Sequence, residues 1–393
     1  MLRIFNRERN ELPQVAACLI GMAGPIAAGM LCGKTELGLL AAYGAMIHAS
    51  SGEGEEAEPS RQHADRPMIL RVGALLRRVF AGALGMLLGG LLGHHGWMYG
   101  TGMVLLSALA ALVGGLGREA AVASAQFIIF MVMGAGMGGN SYGGQHHPGA
   151  VGALFGAGSL WGACASMLVS AVFPGREKRI EAAPGRVAPS FSKRLKWWRA
   201  SLQEFVGWQY CLRMGLCMAV AEAVGALLHQ ERSYWIPLTV AIVLQRSFAA
   251  VATRVIRRGA GTVAGALLGG ALLLGSLPPT AGLLLAAALA ALRPIFRSRS
   301  YTVYSMLMTP LMVVLLGFGT PMSADVLFTR VLDTGIGGAI ALVCGYFLWP
   351  SRLRQQVDKA QEERRRKAAR AAGRERKRFP TRESKTDDRE NSQ

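Results

Sequence analysis

The sequence predicts an all-α polytopic membrane protein of about twelve transmembrane helices, arranged as two parallel six-helix repeats. Three observations predict it. Near-uncharged apolar runs recur along all 393 residues, of which 51% are hydrophobic and 50 are glycine, a composition suited to closely packed helices in lipid. Basic residues crowd into alternate connections between those runs. One stretch also echoes another: Arg78 to Gly90 reads RVFAGALGMLLGG and Arg258 to Gly270 reads RGAGTVAGALLGG. Superimposing them aligns Arg77 and Arg78 with Arg257 and Arg258, and Gly85 and Gly89 with Gly265 and Gly269.

Taken in order, the charged N-terminus leads into a first apolar run, Val15 to Leu31, which is longer than a signal-peptide core and reads as an uncleaved span. The runs Leu37 to Ile47, Val72 to Leu92, Gly102 to Leu116, Ala120 to Met137 and Ala150 to Phe173 complete a first repeat over 1–173. A basic linker, 174–208, carries Lys196, Trp197, Trp198 and Arg199, an aromatic and cationic group suited to the inner interface. The second repeat, 209–350, runs through Tyr210 to Leu228, Tyr234 to Leu244, Gly259 to Leu274, Ala281 to Leu292, Tyr301 to Phe318 and Val331 to Trp349. A basic tail, 351–393, reads as a solvated helix fraying into disorder. Leu37 to Ile47, Tyr234 to Leu244 and Ala281 to Leu292 are too short to span alone, so they are tilted, buried or broken.

The net charge of +19 is a sum over uneven regions. Placing the termini, the linker and alternate loops on one side collects 39 of the 43 Lys and Arg residues there. Lys34, Arg232 and Arg330 fall on the other side and Arg213 inside a span, which makes both termini cytoplasmic. Nucleic-acid binding would need aromatics interleaved with the basic residues on a folded module, and that pattern is absent. The lipid bilayer is the partner this distribution implies. A second copy of the chain and a periplasmic adaptor stay open as protein partners.

No catalytic, metal or cofactor site emerges. The six cysteines lie in or beside apolar runs without a CxxC spacing. Gly139 to Gly143 fits GxSxG but lies between apolar helices, where a nucleophile elbow needs a preceding strand. Gly259 to Ala264 resembles a dinucleotide fingerprint, again with no strand before it. The pairs His94-His95 and His146-His147 fit interfacial loops rich in aromatics better than a metal cluster.

The ionisable residues in the spans say more. Arg246, Arg254, Arg257 and Arg258 interrupt two apolar runs with no acid among them, forming a cationic mouth that would draw an organic anion, and Arg213 joins them from within the seventh span. Glu222 shares that span with Arg213. Nine residues at about 100° each turn the two to opposite faces, so each needs another partner. A lone carboxylate at that depth is costly unless paired, hydrated or protonated, which makes Glu222 the candidate coupling group. Arg330 and Asp333, three residues apart, can neutralise one another as a structural pair. Gly261, Gly265 and Gly269 line one helix face for close packing.

Tyr234 to Thr239 (YWIPLT), Arg254, Arg257 to Gly265 (RRGAGTVAG), Arg330 to Gly337 (RVLDTGIG) and Trp349-Pro350 resemble the membrane module of the fusaric acid resistance protein family. The resemblance covers roughly 205–350 and is weak before that. It implies an aromatic carboxylic acid exporter of the bacterial inner membrane. With no ATP-binding motif, export would draw on an ion gradient. A gated anion channel would use the same cationic mouth without a coupling carboxylate, and a structural or regulatory subunit would use the arginines only to set topology.

Overall fold

The computed structural model describes residues 2–49, 68–93, 97–138, 148–172, 191–229, 232–274, 279–316, 324–360 and 362–363. Among these there is no strand. The elements are α1 (Leu2–Leu31), α2 (Thr35–Ala49), α3 (Met68–Leu92), α4 (Trp97–Val113), α5 (Arg118–Gly138), α6 (Pro148–Val172), α7 (Phe191–Leu202), α8 (Phe205–Leu228), α9 (Trp235–Val243), α10 (Ala249–Leu274), α11 (Pro279–Arg299), α12 (Tyr301–Leu316) and α13 (Ala324–Leu342). A 3₁₀ turn, Gly114–Leu116, follows α4, and a π turn, Val343–Phe347, follows α13. Residues 351–360 form a further helical run. His94, His95, Gly139 to Gly143, His146 and His147 lie outside the described residues.

Among the described residues seven helical stretches are long and apolar enough to cross a membrane: those of α1, α3, α4, α5, α6, α8 and α13. Their outward faces are apolar too, with Phe80 66% exposed, Leu105 69% and Phe328 69%. Water would penalise such a surface, and hydrocarbon would not. The chain is a polytopic membrane protein on this evidence. The remaining helices are short, as α2 and α9 are, or carry charge, as α10 does. α10 begins ten residues before the expected Gly259, because Arg254, Arg257 and Arg258 are helical rather than part of a loop. α11 likewise runs past the expected Leu292 and through Pro294 to Arg299.

The packing pairs follow a simple order. In the first half α1 packs on α2 and α6, α2 on α6, α3 on α5 and α6, and α4 on α5. In the second, α8 packs on α9 and α13, α9 on α13, α10 on α12 and α13, and α11 on α12. The halves meet where α4 packs on α8, α1 on α11, α5 on α9 and α2 on α12.

Glycine sets several of these contacts. A Cβ on Gly85 or Gly89 of α3 would strike the backbone of α5 at Phe127 and Met131, and one on Gly261 or Gly265 of α10 would strike α12 at Thr302 and Met306. Gly269 faces the side chain of Leu327 on α13 instead. Removing side chains at every fourth residue lets helix backbones touch, which in lipid replaces the missing hydrophobic drive with dispersion contacts. The core that runs through both halves is sulfur- and ring-rich, with Met86, Met131, Met214 and Met218 buried and, in the first half, Tyr43, Phe130 and Phe155 packed at ring separations of 4.8–6.0 Å.

Arg77 of α3 pairs with Glu119 of α5. Trp198 of α7 donates to the Leu112 carbonyl at 3.1 Å, fastening the linker helix to the end of α4, while Trp197 stays 65% exposed. The tail departs from the solvated reading over its first ten residues. Val357 is buried, the Arg354 guanidinium lies 4.3 Å from the Tyr346 ring, and Asp358 is bonded into the membrane module.

Candidate functional site

α9 is nine residues of apolar helix that stops when Leu244 turns extended, at φ −71° and ψ 121°. Its last carbonyls are left without helical donors in a place where water is scarce. A polar stripe on α8 supplies donors to the carbonyls just beyond the end of α9. Tyr210 Oη donates to the Leu244 carbonyl at 3.4 Å, and Gln209 Nε2 and Arg213 Nη1 both reach the Arg246 carbonyl at 3.4 Å. Arg213, fully buried, also donates from Nε to the Gly345 carbonyl at 2.7 Å and from Nη1 to Gln209 Oε1 at 3.1 Å, with its guanidinium 3.7 Å from the Phe248 ring centre. Arg213, expected as a substrate ligand, is thus engaged by backbone at a broken helix, although its Nη2 has no hydrogen-bond partner.

The four arginines expected to share one mouth go separate ways. Arg246 reaches across the halves to the Ala111 carbonyl of α4 at 2.8 Å and stacks 4.5 Å from Tyr210. Arg254 lies 5.5 Å from the Tyr301 ring, and Arg257 is exposed. Arg258 turns inward and is buried, with its Nε unpartnered. Successive residues on a helix face about 100° apart, so adjacent arginines cannot serve one opening.

Arg258 does not stand alone. Arg330 of α13 is buried within its electrostatic reach, and its guanidinium sits 4.8 Å from the Trp235 ring. Arg293 of α11, which sequence reasoning placed in an inner connection, is buried as well and donates to the Met46 carbonyl of α2. Tyr43, on α2, lies within electrostatic range of both Arg293 and Arg330. Asp333 is fully buried, but neither of its oxygens accepts a hydrogen bond, so the neutralising contact expected with Arg330 is not closed.

Glu222 finds its partner on the other half. Tyr99 Oη of α4 donates to Glu222 Oε1 at 3.4 Å, which places this half-buried carboxyl in the α4–α8 contact rather than beside Arg213.

Asp358, unnoticed in the sequence, caps α10 from more than 100 residues away. It accepts from Ser247 Oγ at 2.9 Å, the Phe248 N–H at 3.0 Å and the Ala249 N–H at 3.2 Å. A carboxylate there satisfies orphan donors and complements the helix dipole. Asp358→Ala is expected to weaken this cap by about 1–2 kcal/mol. Hydrogen exchange at the Phe248 and Ala249 amides should then quicken roughly tenfold; unchanged exchange would mean the tail helix contributes nothing to the loop.

Residues 216–344 match the family model described as fusaric acid resistance protein-like. Two curated relatives are similar: the uncharacterized protein YhfK of Escherichia coli K12, 29% identical over 140 residues, and an uncharacterized protein of Haemophilus influenzae, 32% identical over 157 residues. The first alignment takes in 35% of this chain and 20% of the relative, the second 38% and 21%, so the chain spans about a fifth of the length of either. No solved structure matches the chain. The matched segment holds Arg258, Arg293, Arg330, Asp333 and Glu222, and begins just after Arg213.

Proposed function

We propose, on the premise that residues 216–344 are a fusaric acid resistance protein-like segment in an apolar helical module, that the chain is a secondary exporter of small aromatic or hydrophobic carboxylic acids. The observation that carries this reading is an imbalance of buried charge. Arg213, Arg258, Arg293 and Arg330 are buried, against Asp333 as the one buried acid among the described residues. Guanidiniums are costly to hold in a membrane interior, and an anion that passes among them offsets that cost while shedding its own water.

The paired packing of the halves supports two parallel six-helix repeats and about twelve spans, since the main contacts inside one half have counterparts in the other. The short helices α2 and α9 then occupy matching places, as broken helices at a transport site do. The 39-to-3 distribution of basic residues supports an inner-membrane orientation with both termini cytoplasmic. Glu222, at the contact between halves, is the group that would exchange a proton.

Purified protein in liposomes loaded with radiolabelled benzoate tests the reading. An imposed proton gradient should drive benzoate movement against its own gradient. Benzoate flux that ignores the proton gradient, with unitary currents in a planar bilayer, would make the protein a channel; no flux of any organic acid would end the transporter reading.

A further inference from the structure

Arg258, Arg293 and Arg330 come from three helices, α10, α11 and α13, yet each turns its charge into the interior and each leaves one N–H without an acceptor: Arg258 Nε, Arg293 Nε and Arg330 Nη1. Against three guanidiniums stands Asp333, the one buried carboxylate among the described residues, whose two oxygens are also unsatisfied. Three positive charges and one negative leave a formal excess of two. A folded interior does not keep such an excess for stability, because an unpaired buried ion costs more than hydrogen bonds to backbone carbonyls recover. Arg330 lies with its guanidinium against the Trp235 ring, an arrangement that leaves the edge N–H groups in plane and available to a carboxylate.

The asymmetry between halves argues the same way. By the alignment that pairs Arg78 with Arg258, the first half carries Val113, Ala150 and Ala153 where the second has Arg293, Arg330 and Asp333. Were these charges needed to build a six-helix repeat, the first half would need them too. It contributes an uncharged wall instead, in Tyr43 and the Met46 carbonyl of α2.

We propose that Arg258, Arg293 and Arg330, with Asp333 beside them and Tyr43 and Trp235 as walls, form a buried binding site for an organic dianion, a small ring-bearing acid with two carboxylates. Two negative charges neutralise the excess, and one does not. This rests on the exporter reading and narrows its substrate class.

The test compares phthalate with benzoate, which share a ring and differ by one carboxylate, in titrations of full-length protein in nanodiscs and in flux from liposomes. Phthalate should bind at least tenfold more tightly than benzoate. Arg293→Gln and Arg330→Gln should each reduce that preference at least fivefold, while Asp333→Asn, which removes the one opposing charge, should raise it. The Asp333 variant separates a ligand site from a structural ion pair, since breaking a structural pair lowers stability and leaves the preference alone. The wild-type comparison needs no variant to fold. Equal affinity for the two acids, or a preference untouched in Arg293→Gln and Arg330→Gln proteins of normal thermal stability, overturns the site. Benzoate transport that persists without any dianion preference sinks this proposal and spares the exporter reading, whereas failure to move either acid sinks both.

Discussion

Glu222→Gln is expected to remove concentrative export and leave exchange intact. Each pH unit across the membrane is worth about 1.4 kcal/mol per coupled proton, so a one-proton exporter can hold a substrate ratio of roughly tenfold per unit. The wild type should approach that ratio in loaded liposomes. The variant should settle at a ratio of unity. Its side-chain amide keeps an oxygen for the Tyr99 hydroxyl, which in the wild type bonds the Glu222 carboxyl at 3.4 Å, so the α4–α8 contact survives the change. What disappears is the ability to take a proton from one side and give it to the other. The partner strengthens the case: a carboxyl held by an arginine would be locked in its charged form, whereas a phenol serves either protonation state. A variant that still concentrates benzoate with unaltered pH dependence would transfer the coupling role away from Glu222.

The second large effect is on folding. Arg213→Leu is expected to cost roughly 3–5 kcal/mol and to lower the yield of inserted protein sharply. Arg213 supplies two carbonyls that have few other donors, Gly345 in the π turn and Arg246 beyond the end of α9, and it covers the face of Phe248. Leaving buried carbonyls bare costs about 1–3 kcal/mol each. Arg213→Lys should recover little, because an ammonium cannot fork to two acceptors while lying flat on a ring. Thermal unfolding in detergent measures the loss. A variant that folds normally but no longer binds an organic acid would return Arg213 to the role of substrate ligand.

Much of the helical framework was legible because apolar runs and their lengths carry it. The end of α8, the limits of α9 to within a residue, the glycine face of α10 and the separation of Arg213 from Glu222 follow from run length and periodicity, whereas α8 begins five residues before the expected Tyr210. The interior chemistry was harder to read, for a physical reason. Counting basic residues by side treats an arginine at the edge of an apolar run as a loop residue. Arg293, followed by Pro294 and the cationic end of α11, looks like one until the Met46 carbonyl of α2, remote in sequence, draws it inward. Arg258 is similar, since nothing local distinguishes it from exposed Arg257. Asp358 carries no signal at all in its own segment: the amides it binds are those of Phe248 and Ala249, and only the fold brings them together.

The π turn at Val343–Phe347 holds one residue more than an α-helix would use to cover the same rise. Its consequence is a break in phase. Upstream, Arg330 and Asp333 are indexed to the interior through α13; within the turn, Tyr346 is indexed to Arg354 on the tail helix, and just beyond it Trp349 turns back to the Cys344 carbonyl at 2.8 Å. A rigid rod would force every twist of the tail helix onto Arg330 with the same angle. The surplus residue lets the two registers differ, so the buried guanidinium keeps its place over Trp235 while Tyr346 faces the tail helix.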